Sequence, residues 1–406
     1  FPVEPSTILT LKDSNLKKEI FWNINFSSNK NIKNSEFREA LREKISEVIK
    51  LHLLSDVQVG ITLSSGIDSQ FLLKYVLDII PDIRTYTYGY NNIKYDESSY
   101  VLNENKYLNV KNIVSKLESR DLIKELKDAI NYFQCPLGGL GTLSLFNLMK
   151  TIQNDGTKVI ISGEGGDEIF FGYKYYYYAY LLDLKIKNEN DKLNDEIMKW
   201  KKITGEDLKN EINDLDLMQN KIYGSQAPDG SQLSSESLEG EELINVNIKH
   251  QDTKYHSSHL LNINLIDIKQ KKLPKLLMFQ DRCSMYSSIE SRVPFLDHEL
   301  FEMVRNINNT NHINNGMLKK LLRNEFTNLN NISNEKKYVA APQREWLKND
   351  LYNTIKEIIF DGHLANNNII NKDSFYNQYK KYHDSKLLGN SFFVWKVLNL
   401  ELLYNL

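Results

Sequence analysis

The residues able to do chemistry lie in two short stretches rich in glycine, hydroxyls and acids. In the first, residues 57–70 read VQVGITLSSGIDSQ. Ser64, Ser65, Gly66, Asp68 and Ser69 follow Val57, Val59, Ile61 and Leu63, which alternate with the period of a short strand. After the loop, SQFLLKYVLDI places its apolar residues on one helical face. A strand, a small-residue loop and a helix start together build an anion cradle. The free N–H groups point at a phosphate, and the Ser64 and Ser69 hydroxyls add donors. Asp68 would repel a bare phosphate, so its place here argues for phosphate carried with Mg2+. No Gly-Lys-Ser/Thr ending follows, which excludes the P-loop of kinases and GTPases. The plain alternative is a Ser/Gly turn between a strand and a helix. In the second stretch Glu164, Asp167 and Glu168 crowd three carboxylates into five residues, and these repel one another unless cations intervene. Gly165 and Gly166 lie among them and let the backbone approach a ligand. A solvated acidic loop is the alternative.

SSGIDS resembles the pyrophosphate-binding loop SGGxDS of ATP pyrophosphatases. ISGEGGDEIFFGY at 161–173 and SSIESRVPFLDHEL at 287–300 are similar to the SGEGxDExFGGY and SxExRVPFLDH segments of the asparagine synthetase family. VWKVLNLELLY near the end is similar to that family's last helix, so the resemblance runs nearly the whole chain. It implies an α/β fold, a doubly wound parallel sheet of the ATP-pyrophosphatase (adenine nucleotide α-hydrolase-like) type with a mainly helical C-terminal half. It also implies a ligase that uses ATP and Mg2+ to make an amide through an acyl-adenylate. Aspartate, ATP and ammonia would give asparagine, AMP and pyrophosphate, the ammonia coming from glutamine in the intact protein. A relative that activates a sugar uronate, a β-amino acid or a peptide side chain is the alternative. A non-catalytic scaffold is a third reading, but it would be expected to have lost the acids or the lysine.

Site residues follow from the same resemblance. Asp68 and Asp167 match the residues that hold Mg2+ with pyrophosphate. Ser64, Ser65, Gly66 and Ser69 match the loop, and Leu63, Tyr88, Ser162 and Gly163 match contacts to ATP. Glu164 matches a glutamate tied to acyl-adenylate formation and proton handling, and Tyr173 an active-site tyrosine. Ser65 replaces a glycine, which is tolerable if its N–H still points inward. Phe171 replaces the first glycine of FGGY and is expected to reshape the pocket wall. In EKKYVAAPQREWL at 335–347, Lys336 keeps the family lysine's spacing before Pro342, Trp346 and Leu347. The resemblance makes it catalytic, neutralising charge as pyrophosphate leaves. Lys337 could take that part instead, and a solvated Lys pair is the bland reading. Arg282 and Arg292 are bidentate cations suited to a substrate carboxylate or phosphate. Pairing with Asp281, Glu290 and Asp297 is their structural alternative, favoured for Arg292 and Asp297. Lys319 and Arg323 also match family positions, against a solvated helix face.

These residues need a frame. Ser35 is a candidate cap for a helix to about Leu54, with Phe37, Leu41, Ile45, Val48, Ile49 and His52 on one face. Strands are expected at 57–63, 84–90 and 157–162, and helices at 69–79, 120–132 and 142–154. Asp96, Glu97 and Ser98 form a turn before another helix. Strands alternating with helices predict a parallel sheet, with ligands beyond the carboxyl ends of its strands. Helices are expected to about 220, the tyrosines of YKYYYYAYLLDL serving as core. Residues 224–242 read as a mobile loop, and everything from Leu273 onward as helix.

With 406 residues the chain can bury a large core. Lys+Arg 51 against Asp+Glu 53, a formal charge of −2, argues against a general nucleic-acid binder. No apolar run nears the roughly 20 residues of a membrane span. Two cysteines, Cys135 and Cys283, are too few for a disulfide framework or a cysteine zinc site, and fit a reducing, cytoplasmic setting. The expected partners are small molecules, neither nucleic acid nor membrane; a homodimer is left open. Residues 1–34 resemble the segment that follows a glutaminase domain in glutamine-dependent relatives, with 35–406 as the synthetase-like domain. The expectation is a piece of a longer chain, with a naturally short ammonia-using protein as the alternative.

Overall fold

A computed structural model describes residues 3–24, 34–99, 101, 110–223, 254–305, 313–325, 341–386 and 389–405. The chain opens with an antiparallel hairpin, β1 (Thr7–Lys12) and β2 (Asn15–Ile20), exposed along its length. Trp22 ties the next residues down, donating from Nε1 to Glu302 at 2.8 Å and meeting the Phe301 ring edge-on. Helix α1 (Asn34–Leu53) then buries the apolar stripe that the spacing predicts, Phe37, Leu41, Ile45, Val48 and Ile49.

The central sheet is built from β3 (Val59–Thr62), β4 (Arg84–Gly89), β5 (Asn112–Lys116), β6 (Val159–Ile161) and β7 (Glu290–Arg292). Its order is β5-β4-β3-β6-β7, and every pairing is parallel. The chain winds outward from β3 through β4 to β5 and then returns to add β6 on β3's other side. That reversal is the topological switch point, where loops following adjacent strands splay apart and leave a crevice. Helix α2 (Ile67–Leu77) makes the crossover from β3 to β4, and helices α3 (Leu122–Phe133) and α4 (Leu140–Asn154) that from β5 to β6.

Period-two alternation divides the sheet between two cores. Val59, Ile61, Val159 and Ile161 face one side, with α1, α2, Phe295 and Leu322. Tyr86 and Ile160 face the other, with α3, α4 and the C-terminal helices. A third, wholly helical core gathers the tyrosine run on α5 (Lys174–Ile186). Tyr175 and Tyr176 donate to Asp267 at 2.6 and 2.8 Å, and Tyr177 to Glu196 at 2.6 Å, so these hydroxyls are partnered and the run is packing.

Two strands differ from the sequence reading. β5 lay unmarked, its NIVSK offering only Ile113 and Val114 as β-formers. β7 interrupts the stretch expected to be helical from Leu273. It has three residues, its partner β6 is remote in sequence, and Pro294 follows after Val293, so it carries no periodic signal. Helix α2 starts at Ile67, earlier than expected, because the Gly66 turn already sets its first residues. The expected loop at 224–242 and Lys336 and Lys337 lie outside the described residues.

Candidate active site

A cleft of about 200 Å³ opens at the carboxyl ends of β3, β4 and β6. Of the residues singled out from sequence, Leu63, Ser64, Asp68, Ser69, Tyr88, Ser162, Gly163, Glu164, Asp167 and Tyr173 all line it. Thr62, Tyr86, Leu145, Leu148, Gly165, Glu168 and Gln280 complete the wall.

The β3–α2 loop is tied to itself. Ser64 N donates to Ser69 Oγ and Gly66 N to Ser64 Oγ, each at 3.1 Å, and Gln70 Nε2 donates to Ser64 O at 2.8 Å. Ser65 and Gly66 do not line the cleft, and the N–H and hydroxyl of Ser65 donate to the Glu97 carboxylate at 3.0 and 2.8 Å. The β6 loop is pressed against this one. A Cβ on Gly163 would stand 3.3 Å from Ser69 N, and one on Gly166 2.7 Å from Asp68 Cγ. Small residues at these points let the two acidic loops touch.

Touching loops bring Asp68 and Asp167 together, and Lys319 lies between them. Its ammonium pairs with Asp68 and, at 2.6 Å, with Asp167. Lys319 is 4% exposed, so the solvated helix face weighed from sequence does not describe it. Burial opposes its charge, but Asp167 and Asp68 outweigh burial and hold its pKa above the ordinary value. Gly172 is the reason the pair fits. A Cβ there would overlap Asp167 Oδ1 and Lys319 Cε.

The remaining carboxyls lack such a cation. Burial first, then Glu168, Asp167 and Asp68, push Glu164 up to about 7. Burial and Asp167 push Glu168 up to about 7 as well, although Tyr173 donates to it at 2.7 Å. Tyr173 is held well above the usual phenol range by burial and by Glu168. It stacks on Tyr175 at 5.3 Å, with Lys272 Nζ 3.6 Å from its ring centroid.

Several expected site residues are elsewhere. Arg282 donates to Phe133 O at 2.6 Å and to Cys135 Sγ. Arg292 donates to His52 O and Leu54 O, both at 2.7 Å, and pairs with Glu290. Neither arginine lines the cleft. Asp297 accepts from Glu299 N and Leu300 N, capping the helix His298–Arg305 instead of pairing with an arginine. Phe171 does not reshape the cleft wall. Its backbone is left-handed, φ 54°, a region open to glycine, and its ring lies in the helical core against Tyr176 and Arg305. Reading by motif underrated Lys319; its only signal was the spacing of KKLLR.

Among the described residues no three or more His, Cys, Asp or Glu side chains gather into a metal cage. Two converging carboxylates are what a Mg2+ shared with phosphates requires, and the ammonium between Asp68 and Asp167 shows that the spot holds a cation. No helix of the described residues is long and apolar enough to cross a membrane.

Fold and cleft define an α/β protein with an acid-rich cleft at the switch point of a parallel sheet. The chain belongs to the asparagine synthase family, whose profile matches residues 40–404. Asparagine synthetase (glutamine-hydrolyzing) 1 of Bacillus subtilis strain 168 is 27% identical over 413 residues, covering 98% of this chain and 63% of that protein. Amidase chry2 of Gibberella zeae is 22% identical over 391 residues, 82% of this chain and 56% of its own length. A putative asparagine synthetase (glutamine-hydrolyzing) of Mycobacterium tuberculosis is 24% identical over 270 residues, 63% of this chain and 40% of its own. The chain thus spans less than two thirds of the length of the curated relatives it matches.

Proposed function

We propose that the cleft is the synthetase site of an ATP-dependent, AMP-forming amide ligase. The observation that carries this is the meeting of Asp68 and Asp167 at one cation beside a loop of N–H and hydroxyl donors. The loop binds the pyrophosphate end of ATP, and Ser162, Gly163, Leu63 and Tyr88 seat the rest. Asp68 and Asp167 would hold Mg2+, which supplies charge neutralisation to the phosphates. A substrate carboxylate attacks the α-phosphorus, pyrophosphate leaves, and ammonia displaces AMP from the acyl-adenylate. Glu164, with a pKa raised to about 7, takes the proton from the attacking ammonia in this reading. Lys319 balances the charge of the acids, and Lys336 is proposed, from its spacing alone, to steady the departing pyrophosphate.

The first substrate reading is aspartate, giving asparagine with ammonia as nitrogen donor. One observation favours a different carboxylic acid as the second reading. Arg282 and Arg292 are committed to backbone carbonyls, while Leu145 and Leu148 contribute apolar surface to the cleft. The test is release of pyrophosphate from ATP with Mg2+, ammonium and a panel of acids. AMP and pyrophosphate in an aspartate-dependent reaction support the first reading, and another acid the second. Formation of ADP and phosphate would refute both, because it requires attack at the γ-phosphorus.

A further inference from the structure

The donors of the phosphate loop are not waiting empty-handed. Ser64 N and Gly66 N are satisfied within the loop by Ser69 Oγ and Ser64 Oγ. Ser65 N and Ser65 Oγ both donate to one oxygen, Oε2 of Glu97, at 3.0 and 2.8 Å. Glu97 arrives from the turn after β4. Asp96 fixes that turn by accepting from Ser98 N at 3.2 Å and Ser98 Oγ at 2.7 Å. Tyr88 stands in the wall of the cleft, where burial, Tyr90 and then the charges of Glu97 and Glu164 raise its pKa. The Glu97 carboxylate is therefore a charge felt at the cleft. A carboxylate oxygen thus already accepts from Ser65 N, a main-chain donor of the loop that follows β3.

We propose that Glu97 is a carboxylate gate on the phosphate loop, held there by the Ser65 hydroxyl, and that it sets nucleotide affinity because the phosphate chain must displace it. This rests on reading the cleft as an ATP site. A carboxylate and a phosphate oxygen compete for the same N–H, and each is repelled by the other's charge. The serine matters to the gate. With glycine at position 65 only the main-chain N–H would hold Glu97, so Ser65 and Glu97 act as one unit. The departure from the SGGxDS pattern thereby acquires a role: it supplies the second donor that keeps the carboxylate in place.

The experiment is calorimetric titration of MgATP and of magnesium pyrophosphate into wild type, Glu97→Gln, Ser65→Gly and the double variant. Each single substitution is expected to tighten binding by about tenfold, or about 1.4 kcal/mol. The double variant should bind no tighter than Glu97→Gln, since the hydroxyl holds nothing once the charge is gone. Unchanged or weaker binding by both single variants, or additive gains in the double, would overturn the gate. Ser65→Gly restores the glycine of the resembling loops, so it reads the gate even where Glu97→Gln folds poorly. Failure of wild type and every variant to bind either ligand would overturn the ATP reading and the gate with it; binding by wild type that neither substitution changes overturns the gate alone.

Discussion

Gly172→Ala tests the construction of the cleft with one methyl group. The φ of Gly172 is not in the left-handed region, so backbone strain is not at stake. The whole effect is steric. The new Cβ would lie 2.8 Å from Asp167 Cγ and overlap the ends of both Asp167 and Lys319. Neither partner can simply swing into water, because the Lys319 side chain is 5% exposed and that of Asp167 24%. Parting a buried ion pair costs about 3–5 kcal/mol, and Ala in place of Gly returns about 0.4–1 kcal/mol through the unfolded chain. A net loss of about 2–4 kcal/mol is expected. The control is Gly141→Ala, an exposed helical glycine whose Cβ would meet nothing within 4 Å. It should be neutral or gain up to about 1 kcal/mol. Denaturant midpoints of the two variants at equal slope give the comparison. If Gly172→Ala unfolds within about 0.5 kcal/mol of Gly141→Ala, the Lys319–Asp167 contact does not stabilise the cleft and the reasoning fails.

Three further substitutions have defined outcomes. Glu164 has a raised pKa, so the folded protein keeps a proton that the unfolded chain gives up between 4.5 and about 7; stability from this group is complete below 4.5 and falls as pH rises through 7. Glu164→Gln should therefore stabilise the protein at pH 8 by roughly 1–2 kcal/mol, less than the full shift because the cleft admits water, and the gain should vanish in thermal melts at pH 4. Ammonium-dependent turnover at constant free ammonia should rise through pH 7 in wild type and be flat and low in Glu164→Gln; a rising profile in the variant would remove Glu164 as the base. Lys319→Met leaves Asp68 and Asp167 without that cation and should cost about 3–5 kcal/mol by denaturation, with the wild-type turnover profile displaced to higher pH because Lys319 holds the Glu164 pKa down. Phe171→Gly relieves a left-handed Phe worth about 1–2 kcal/mol but empties a core site worth about 3–5 kcal/mol, so a net loss of about 2–3 kcal/mol is expected, and a gain in melting temperature would show that the ring packs poorly.

The parts of the site readable from sequence are those where neighbours in the chain are neighbours in space. Ser64 to Ser69 form one turn, and Glu164, Asp167 and Tyr173 follow one strand, so motif and geometry coincide. What escaped reading depends on distant partners. Lys319 is 251 residues from Asp68, and in KKLLR it reads as solvent-facing until the fold buries it. Its φ of 51° is equally silent in sequence, since an isolated lysine gives no sign of a left-handed backbone that costs about 1–3 kcal/mol. Phe171 was legible as a departure from the family pattern but not in its direction, because its left-handed backbone, φ 54°, and the ring's place in the helical core are not local sequence signals. Glu97 belonged to a recognised turn, yet nothing local ties it to Ser65. Arg292 was legible as a structural residue, though not its bonds to His52 O and Leu54 O, whereas Arg282 looks like an anion ligand by type until Phe133 O shows it as a brace.

Charge in the cleft connects these observations. Asp68, Glu164, Asp167 and Glu168 face one space, with Lys319 paired to two of them. The two acids with pKa values near 7 avoid part of the repulsion by keeping protons near neutrality. A polyphosphate entering alone would meet the ionised fraction of these acids and Glu97 besides. At an effective dielectric of about 20, each pair of like charges about 4 Å apart costs about 4 kcal/mol. No loop of neutral N–H donors offsets several such pairs. On the proposed function, phosphate would have to arrive with its own cations, which Asp68 and Asp167, drawn together around the Lys319 ammonium, would help to hold. On that same proposed function, the acidic loop that seems hostile to a nucleotide would be the source of its selectivity, admitting the metal-bound form and repelling the free one.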